Sequence, residues 1–175
     1  PEKMFMKFSK LNEIIFNLSL KSIGFECFYG CNNLTRIVFP SSLICICECA
    51  FYNNISLIEI VIPSSVKFIK SGAFNSCKSL ENVTFESPSC LTTIDSYVFC
   101  ECKSLKQITI PPLVTSIGQY AFGRCYSLTD VLFPDSLTVI DKYAFYDCRE
   151  LKEVTIHNSD IQIGEEAFPH GVNIK

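Results

Sequence analysis

The chain repeats a unit of 23 residues, and this period limits the possible folds more than any other feature of the sequence. A Leu marks the first position of seven successive units, numbered zero here, and only one step is longer, at 25 residues. The two extra residues fall within 86–90, a stretch with Ser and Pro that is typical of a loop tolerating insertion. A period of this length predicts a solenoid of stacked turns. The units begin at Leu11, Leu34, Leu57, Leu80, Leu105, Leu128 and Leu151.

Four further positions of the repeat are apolar in every unit. Position 3 holds Ile or Val, position 5 holds Phe or Ile, position 12 always holds Ile and position 17 always holds Phe, allowing for the longer fourth unit. Because no single turn can bury its own apolar face, we expect equivalent side chains to stack along the rod. This interior use accounts for a chain with fifteen Phe and no Trp. The Phe column consists of Phe28, Phe51, Phe74, Phe99, Phe122, Phe145 and Phe168.

Each unit begins with a pattern typical of a short strand. Apolar residues at positions 0, 3 and 5 predict a strand that pairs in register with its equivalents in one parallel sheet. A second extended piece follows, for example at residues 65–69, and residues 72–77 then space Ala, Phe and Cys as in an inward-facing helical turn. We therefore predict a single α/β domain over residues 1–175, a solenoid of about seven turns that is rich in β-structure and has short helical turns. Residues 1–10 read as a partial repeat, and we expect the sequence to be part of a longer chain.

These units resemble the BspA-type (Treponema-like) leucine-rich repeat, whose pattern runs Leu-x-x-Ile/Val-x-Ile/Phe-Pro-x-Ser-Val/Leu-x-x-Ile-Gly-x-x-Ala-Phe-x-x-Cys-x-x-Leu. The fifth unit, residues 105–127, follows this pattern nearly throughout. The fourth unit departs most from it, with its insertion and with Val98 at the Ala position. The resemblance implies a leucine-rich-repeat solenoid. It also implies a surface or secreted protein of a bacterium or parasitic protist that binds host matrix proteins or other cells.

Composition and motifs do not indicate an enzyme. The formal net charge is −3 and Lys and Arg are scattered, so no cationic stripe is available for nucleic acid. No apolar run reaches the roughly 18–20 residues that cross a bilayer. The sequence lacks a Gly-rich phosphate loop, a His-Glu-x-x-His motif and a Gly-x-Ser-x-Gly motif, and His157 lies where a solvated loop side chain is expected. We therefore expect a non-enzymatic protein without a cofactor or metal.

Eleven Cys residues could indicate a disulfide framework or a zinc site, but their positions in the repeat argue against both. At position 20, aligned side chains point in parallel and suit a disulfide poorly, so we expect a column of buried thiols. Cys45, Cys47 and Cys49 lie close together in the chain, but a metal site there needs a fourth ligand, and His157 and His170 are far along the rod. Position 20 is occupied by Cys31, Asn54, Cys77, Cys102, Cys125, Cys148 and Gly171.

Four Asn-x-Ser/Thr sequons begin at Asn17, Asn33, Asn54 and Asn82. They are a weak indication of secretion, because a repeat rich in Asn, Ser and Thr produces them by chance. Asn54 lies at the inward position 20, where a glycan would collide with the stacked turns.

Two rows of side chains are candidates for a partner surface. The first lies on the predicted strands, where positions 2 and 4 point outward between the buried residues. An apolar or β-branched row there runs beside a charged row, although strand propensity alone explains β-branched residues equally well. The residues concerned are Ile15, Val38 and Val61, flanked by Glu13, Arg36 and Glu59.

The second candidate row is Tyr97, Tyr120 and Tyr143, aligned at position 15 of three consecutive units. Tyr is enriched in interface cores because it combines a large apolar ring with a polar tip. Partial packing against the neighbouring turn is the alternative.

These patterns favour a protein interaction module that is secreted or displayed at a cell surface and binds another protein. The alternative is an intracellular structural component, for instance of a cytoskeletal assembly, which the many unpaired thiols favour. The open ends of a solenoid expose apolar ladders and a sheet edge. We therefore expect further repeats, a partner or end-to-end stacking to cover both ends.

Overall fold

The computed structural model describes residues 2–175 as a solenoid of parallel strands in about seven turns. The strands fall into two series, each with one strand per turn. Where consecutive strands of a series pair, they do so in parallel and in register, for example Glu13 with Arg36 and Ser22 with Cys45. The first series contains β1 (Glu13–Ile15), β3 (Arg36–Val38), β5 (Glu59–Ile62), β7 (Asn82–Phe85), β9 (Gln107–Thr109), β11 (Asp130–Leu132), β13 (Glu153–Val154) and β15 (Asn173–Ile174).

The second series occupies positions 11 and 12 of the repeat, where the sequence predicted only an extended piece. It contains β2 (Ser22–Ile23), β4 (Cys45–Ile46), β6 (Phe68–Ile69), β8 (Thr93–Ile94), β10 (Ser116–Ile117), β12 (Val139–Ile140) and β14 (Gln162–Ile163). The prediction of one parallel sheet is thereby corrected. The first series pairs as β1–β3, β5–β7, β9–β11 and β13–β15, and the second as β2–β4–β6 and β8–β10–β12–β14.

The predicted short helical turns are wrong, because residues 2–175 contain no helix. Position 15 of every unit and position 19 of the first six have a left-handed backbone, with φ between 48° and 67°. A right-handed helix cannot pass through such residues. The backbone between them therefore forms successive tight turns. At position 15 these residues are Glu26, Cys49, Gly72, Tyr97, Tyr120, Tyr143 and Glu166.

Hydrogen bonds in this turn segment run mainly between neighbouring turns of the solenoid. The Phe51 N–H donates to the Ala73 carbonyl at 2.8 Å, and the Phe74 N–H donates to the Val98 carbonyl at 2.9 Å. Only the alternate amides bond locally, as when the Ala50 N–H donates to a carbonyl three residues earlier at 3.2 Å. Stacking on neighbouring turns thus provides hydrogen-bond partners for the backbone N–H and C=O groups of this segment. In a helix, the partners of these groups would lie within the helix itself.

The core runs the length of the rod as columns of like side chains. The rings of the Phe column stack almost parallel, at centroid distances from 5.1 Å to 5.7 Å. The five central members, Phe51 to Phe145, have no solvent exposure. The predicted interior Phe column is therefore confirmed, and it holds the outer faces of the turns in a fixed register.

Candidate functional site

The outward residues of the first strands form the first predicted row, which we call the strand-face strip. It comprises Ile15, Val38 and Val61 with Glu13, Arg36 and Glu59. Strands alternate side chains between two faces, so each strip residue lies next to a buried Ile at position 3. Ile15 is 72%, Val38 38% and Val61 47% exposed. The structure thus places an aliphatic row on the outside of the rod.

The charged half of the strip is partly neutralised. The Arg36 guanidinium forms an ion pair with the Glu13 carboxylate of the preceding turn. Glu59 lies one turn further along and is exposed. Register pairing brings Ile15 beside Val38 directly, whereas Val61 belongs to the next pair of strands. The strip is therefore continuous in space but crosses a gap in the strand ladder.

A groove that the sequence did not predict opens on the same strand face. Its volume is about 590 Å³, and it lies where β7 and β9 approach each other without ladder pairing, beside the two-residue insertion. The Glu86 carboxylate at its rim accepts a hydrogen bond from the Ser64 N–H at 3.3 Å. The only sequence signal was the 25-residue step itself. The side chains that line the groove include Asn82, Thr84, Gln107, Thr109, Asp130 and Leu132.

The second predicted row forms a stack of rings, which we call the tyrosine ladder. The ring centroids of Tyr97 and Tyr120 lie 5.3 Å apart, and those of Tyr120 and Tyr143 lie 4.9 Å apart. Tyr146 adds its ring edge-on, 5.9 Å from Tyr120 and 5.7 Å from Tyr143. Sequence reasoning missed Tyr146, because it lies at position 18 of its unit and not in the aligned column at position 15. The rings therefore pack on one another while remaining partly accessible.

The surroundings of the tyrosine ladder raise the pKa of two of its phenols, those of Tyr120 and Tyr143. Desolvation, followed by the neighbouring Tyr97, raises the pKa of Tyr120. The charge of Glu165, followed by desolvation, raises the pKa of Tyr143. Gly123 leaves room for the central ring, since a Cβ there would lie 2.8 Å from Cδ1 of Tyr120. The ladder presents phenolic hydroxyl groups, which can donate and accept hydrogen bonds, on an aromatic surface.

The thiol column at position 20 lies in the interior, as predicted. All eleven Cys are free, and the five at this position have no solvent exposure. Each thiol donates to a Phe carbonyl of an earlier turn, as from Cys77 Sγ to Phe51 at 3.3 Å and from Cys148 Sγ to Phe122 at 3.1 Å. Burial raises the pKa of Cys77 to about 12 and that of Cys102 well above its ordinary value. These thiols stabilise the interior and are poor nucleophiles.

The second group of Cys lies on the outside of the rod. The sulfur atoms of Cys45 and Cys47 are 3.7 Å apart, and both side chains are half-buried. Burial, followed by the contact with Cys47, raises the pKa of Cys45 to about 11, against a lowering by Lys70. Residues 2–175 contain no group of three or more His, Cys, Asp or Glu side chains arranged to hold a metal ion. His157 is exposed, and its Nδ1 lies 3.0 Å from the Asp135 carboxylate.

Both ends of the described rod carry apolar residues at the surface. Phe5 extends the Phe column and stacks on Phe28 at 5.2 Å, yet remains 39% exposed. Met4 and Phe8 beside it are also exposed, as is Ile174 at the other end. What covers these ends stays a prediction. Within the described part of the chain, no helix has the length and hydropathy needed for a bilayer crossing.

Comparison with known families identifies the repeat. The family described as "BspA type Leucine rich repeat region (6 copies)" matches residues 1–89 and 84–175, so the match covers the whole chain. No curated protein matches the chain.

Several solved structures share the fold. A leucine-rich repeat protein from Bacteroides ovatus is 31% identical with a TM-score of 0.81, over 99% of this chain and 50% of that one. The Treponema pallidum (T. pallidum) leucine-rich repeat protein is 26% identical with a TM-score of 0.66, over 98% of this chain and 72% of that one. The pneumococcal vaccine antigen PcpA is 27% identical with a TM-score of 0.57, over 95% of this chain and 50% of that one. The chain thus spans about half the length of the Bacteroides ovatus protein.

Proposed function

The chain belongs to the BspA-type leucine-rich repeat family, and from this premise we propose that it is a non-enzymatic interaction module that binds another protein at a cell surface. The observation that carries this proposal is the strand-face strip, an exposed aliphatic row beside charges on a rigid ladder. Solenoids commonly use such extended faces for recognition. Because one of the structurally similar proteins is described as a vaccine antigen, display outside the cell is the location we favour.

Rigidity is the physical reason that the strip suits binding. Each strip residue is flanked by a buried Ile of the core, so its backbone loses little freedom when a partner docks. Removing Ile15, Val38 and Val61 from water on docking would supply apolar burial at the centre of an interface. The exposed charges beside them would direct the partner's orientation more than they would add affinity.

The tyrosine ladder is proposed as a second contact region. Stacked rings with neutral hydroxyls bury large area at low entropic cost, and Tyr is frequent among the residues that dominate binding energy. Tyr146 joins Tyr97, Tyr120 and Tyr143 in this proposal because it packs edge-on against two of them.

Paired variants test the two surfaces separately. The double variant Val38→Asp/Val61→Asp places charges in the strip, and the triple variant Tyr97→Ser/Tyr120→Ser/Tyr143→Ser removes the rings of the ladder. Leu113→Asp, at a residue 54% exposed outside both surfaces, serves as the matched control. Immobilised proteins would be probed with intact cells and with purified extracellular matrix proteins, and unfolding curves would confirm that each variant folds.

We expect at least one of the two surface variants to bind about tenfold more weakly, which corresponds to about 1.4 kcal/mol. The Leu113→Asp protein should bind as the parent does. If both surface variants keep full binding, the assignment of the contact surfaces is wrong. If the parent protein binds no cell or matrix protein, the proposed surface function itself fails.

A second candidate function is a structural role inside the cell, as part of a large assembly such as the cytoskeleton. All eleven Cys are free, and unpaired thiols persist most readily in a reducing compartment. Mass spectrometry of the native protein separates the two candidates. Glycans on exposed Asn17, Asn33 or Asn82 would support secretion, whereas unmodified sequons with fully reduced thiols would support the intracellular role.

A further inference from the structure

Cys45 and Cys47 form a pair of thiols on the outer face of the second strand series. They flank Ile46, which is completely buried, so the alternation of the strand turns both sulfur atoms outward. The two Sγ atoms lie 3.7 Å apart without a disulfide. This spacing allows both sulfur atoms to contact one ion placed between them.

The neighbouring turns complete the surroundings of this pair. On one side the Ser22 hydroxyl lies 3.4 Å from Cys47 Sγ. On the other side, Phe68 pairs with Cys45 across the ladder and is 46% exposed. Lys70 lies one turn beyond Cys47, with its Nζ 5.1 Å from the Phe68 ring centroid and 3.5 Å from the Asp95 carboxylate. The positive charge of Lys70 is therefore shared with the Asp95 carboxylate.

We propose that Cys45 and Cys47 bind one thiophilic monovalent cation, Cu(I), as a two-coordinate bis-thiolate. Two thiols lose their protons and bind Cu⁺, giving a complex of net charge −1 and two released protons, so charge and atoms balance. No oxidant or reductant is consumed. The ammonium group of Lys70, which also pairs with Asp95, offsets part of the negative charge that the complex brings to this surface.

The number and type of ligands select this ion. Thiolates are soft ligands that favour Cu(I), whereas zinc needs four ligands in a tetrahedral arrangement. Within residues 2–175, no third His, Cys, Asp or Glu is placed to complete a larger site with this pair. The position-20 thiols are fully buried and donate to carbonyl groups, and Cys90 is exposed on a separate loop. The pair is therefore the surface position best suited to a two-coordinate ion.

Competitive titration with Cu(I) tests the proposal directly. The intact, reduced chain would be titrated under anaerobic conditions against a chromophoric Cu(I) chelator, bathocuproine disulfonate. Variants Cys45→Ser and Cys47→Ser each remove one ligand, and Cys49→Ser and Cys90→Ser serve as matched controls that remove a nearby and a distant accessible thiol. Unfolding curves of each variant would confirm the fold, and X-ray absorption would count sulfur neighbours around the bound copper.

We expect one equivalent of Cu(I) with two sulfur neighbours in the parent and in both control variants. Loss of either ligand should weaken Cu(I) binding by more than about 100-fold. Even substitution of residues that only hydrogen-bond to metal ligands lowers metal affinity by up to about 100-fold. Unchanged affinity in folded Cys45→Ser or Cys47→Ser would overturn the assignment. Three or more sulfur neighbours, or equally tight binding of Zn(II), would overturn the choice of a two-coordinate ion. This proposal stands independently of the proposed protein-binding function.

Discussion

At the scale of single residues, position 20 carries a small side-chain hydrogen-bond donor in the first six units, which is Cys in five of them and Asn in the other. Asn54 replaces Cys in the second unit and donates its Nδ2 to the Phe28 carbonyl at 2.9 Å, as the thiols do in other turns. Its Oδ1 is buried without a hydrogen-bond partner. An unpaired buried acceptor costs about 1–3 kcal/mol, which the thiol avoids because it lacks a strong acceptor.

The Phe column makes the sharpest prediction at this scale. Phe122→Ala should lower the free energy of unfolding by about 3–5 kcal/mol, because it removes a fully buried ring and leaves a cavity between two stacked rings. Phe68→Ala, at an exposed residue, should change the stability by less than about 1 kcal/mol. Denaturant unfolding followed by circular dichroism measures both. Similar losses of unfolding free energy in the two variants would show that the Phe column does not stabilise the core.

At the scale of the structural element, the turn segment is shaped by its neighbours more than by its own sequence. Tyr97, Tyr120 and Tyr143 all adopt the left-handed conformation, which costs a non-Gly residue about 1–2 kcal/mol. Hydrogen bonds to the next turn and stacking of the tyrosine rings offset that cost. The same residues that favour a helical turn by spacing therefore form a different structure when stacked.

Close stacking of turns also predicts the effect of a single methyl group. A Cβ at Gly118 would lie 2.6 Å from the Ser96 backbone nitrogen, so Gly118→Ala forces two turns apart. The free energy of unfolding should fall by about 1–3 kcal/mol, as for other overpacked interiors. Ser116→Ala, two residues earlier in the same turn, is the control and should have a small effect. Equal thermal midpoints for the parent and Gly118→Ala would contradict the stacking distance.

At the scale of the whole molecule, the second strand series breaks at the insertion while the core continues. Among the strands described for residues 2–175, pairing is absent between β6 and β8 beside the insertion, whereas the first series also lacks pairing between β3 and β5 and between β11 and β13, away from it. Phe74 and Phe99 nevertheless remain stacked across the same junction at 5.7 Å. The solenoid thus keeps one continuous interior while its outer surface opens into the groove. Insertions are tolerated here because they change the edge of the stack and leave its interior columns aligned.

The buried thiol column predicts a loss of stability in alkali. The folded pKa of Cys77 is about 12, above the ordinary 9.0, so the folded state holds its proton more tightly than the unfolded state does. The resulting stabilisation is complete below pH 9 and is lost as the pH rises towards 12. At pH 10.5, the free energy of unfolding should be lower by about 2 kcal/mol because of this thiol alone. Each pH unit above the unfolded pKa removes about 1.4 kcal/mol.

The variant Cys77→Asn isolates this effect, because Asn54 shows that the column accepts Asn as a donor. Urea unfolding at pH 8 and at pH 10.5 should show a smaller alkaline loss for Cys77→Asn than for the parent. Tyrosine ionisation affects both proteins alike, so it cancels in the comparison. Equal losses would mean that the Cys77 thiol does not oppose ionisation in the folded state.

The period, the interior columns and the outward placement of the strip residues could all be predicted from the sequence. Leu, Ile and Phe recur at fixed positions, and strand alternation then assigns Ile15, Val38 and Val61 to the outside. These inferences succeeded because repetition makes every turn meet a copy of itself, so one unit specifies its own neighbour. Which outer row binds a partner stays a prediction, since exposure alone does not distinguish an interface from strand propensity.

Four features could not be predicted before the turns were stacked: the left-handed turns in place of helical ones, the second strand ladder, the groove beside β7 and the edge-on packing of Tyr146. A fifth is the contact between the sulfur atoms of Cys45 and Cys47. Except for this contact between residues two positions apart, these features depend on distances and hydrogen bonds between turns, which join residues 22 to 26 positions apart. Spacing within one unit carries no information about those contacts, because the same local pattern is compatible with more than one backbone until the neighbouring turns are stacked against it.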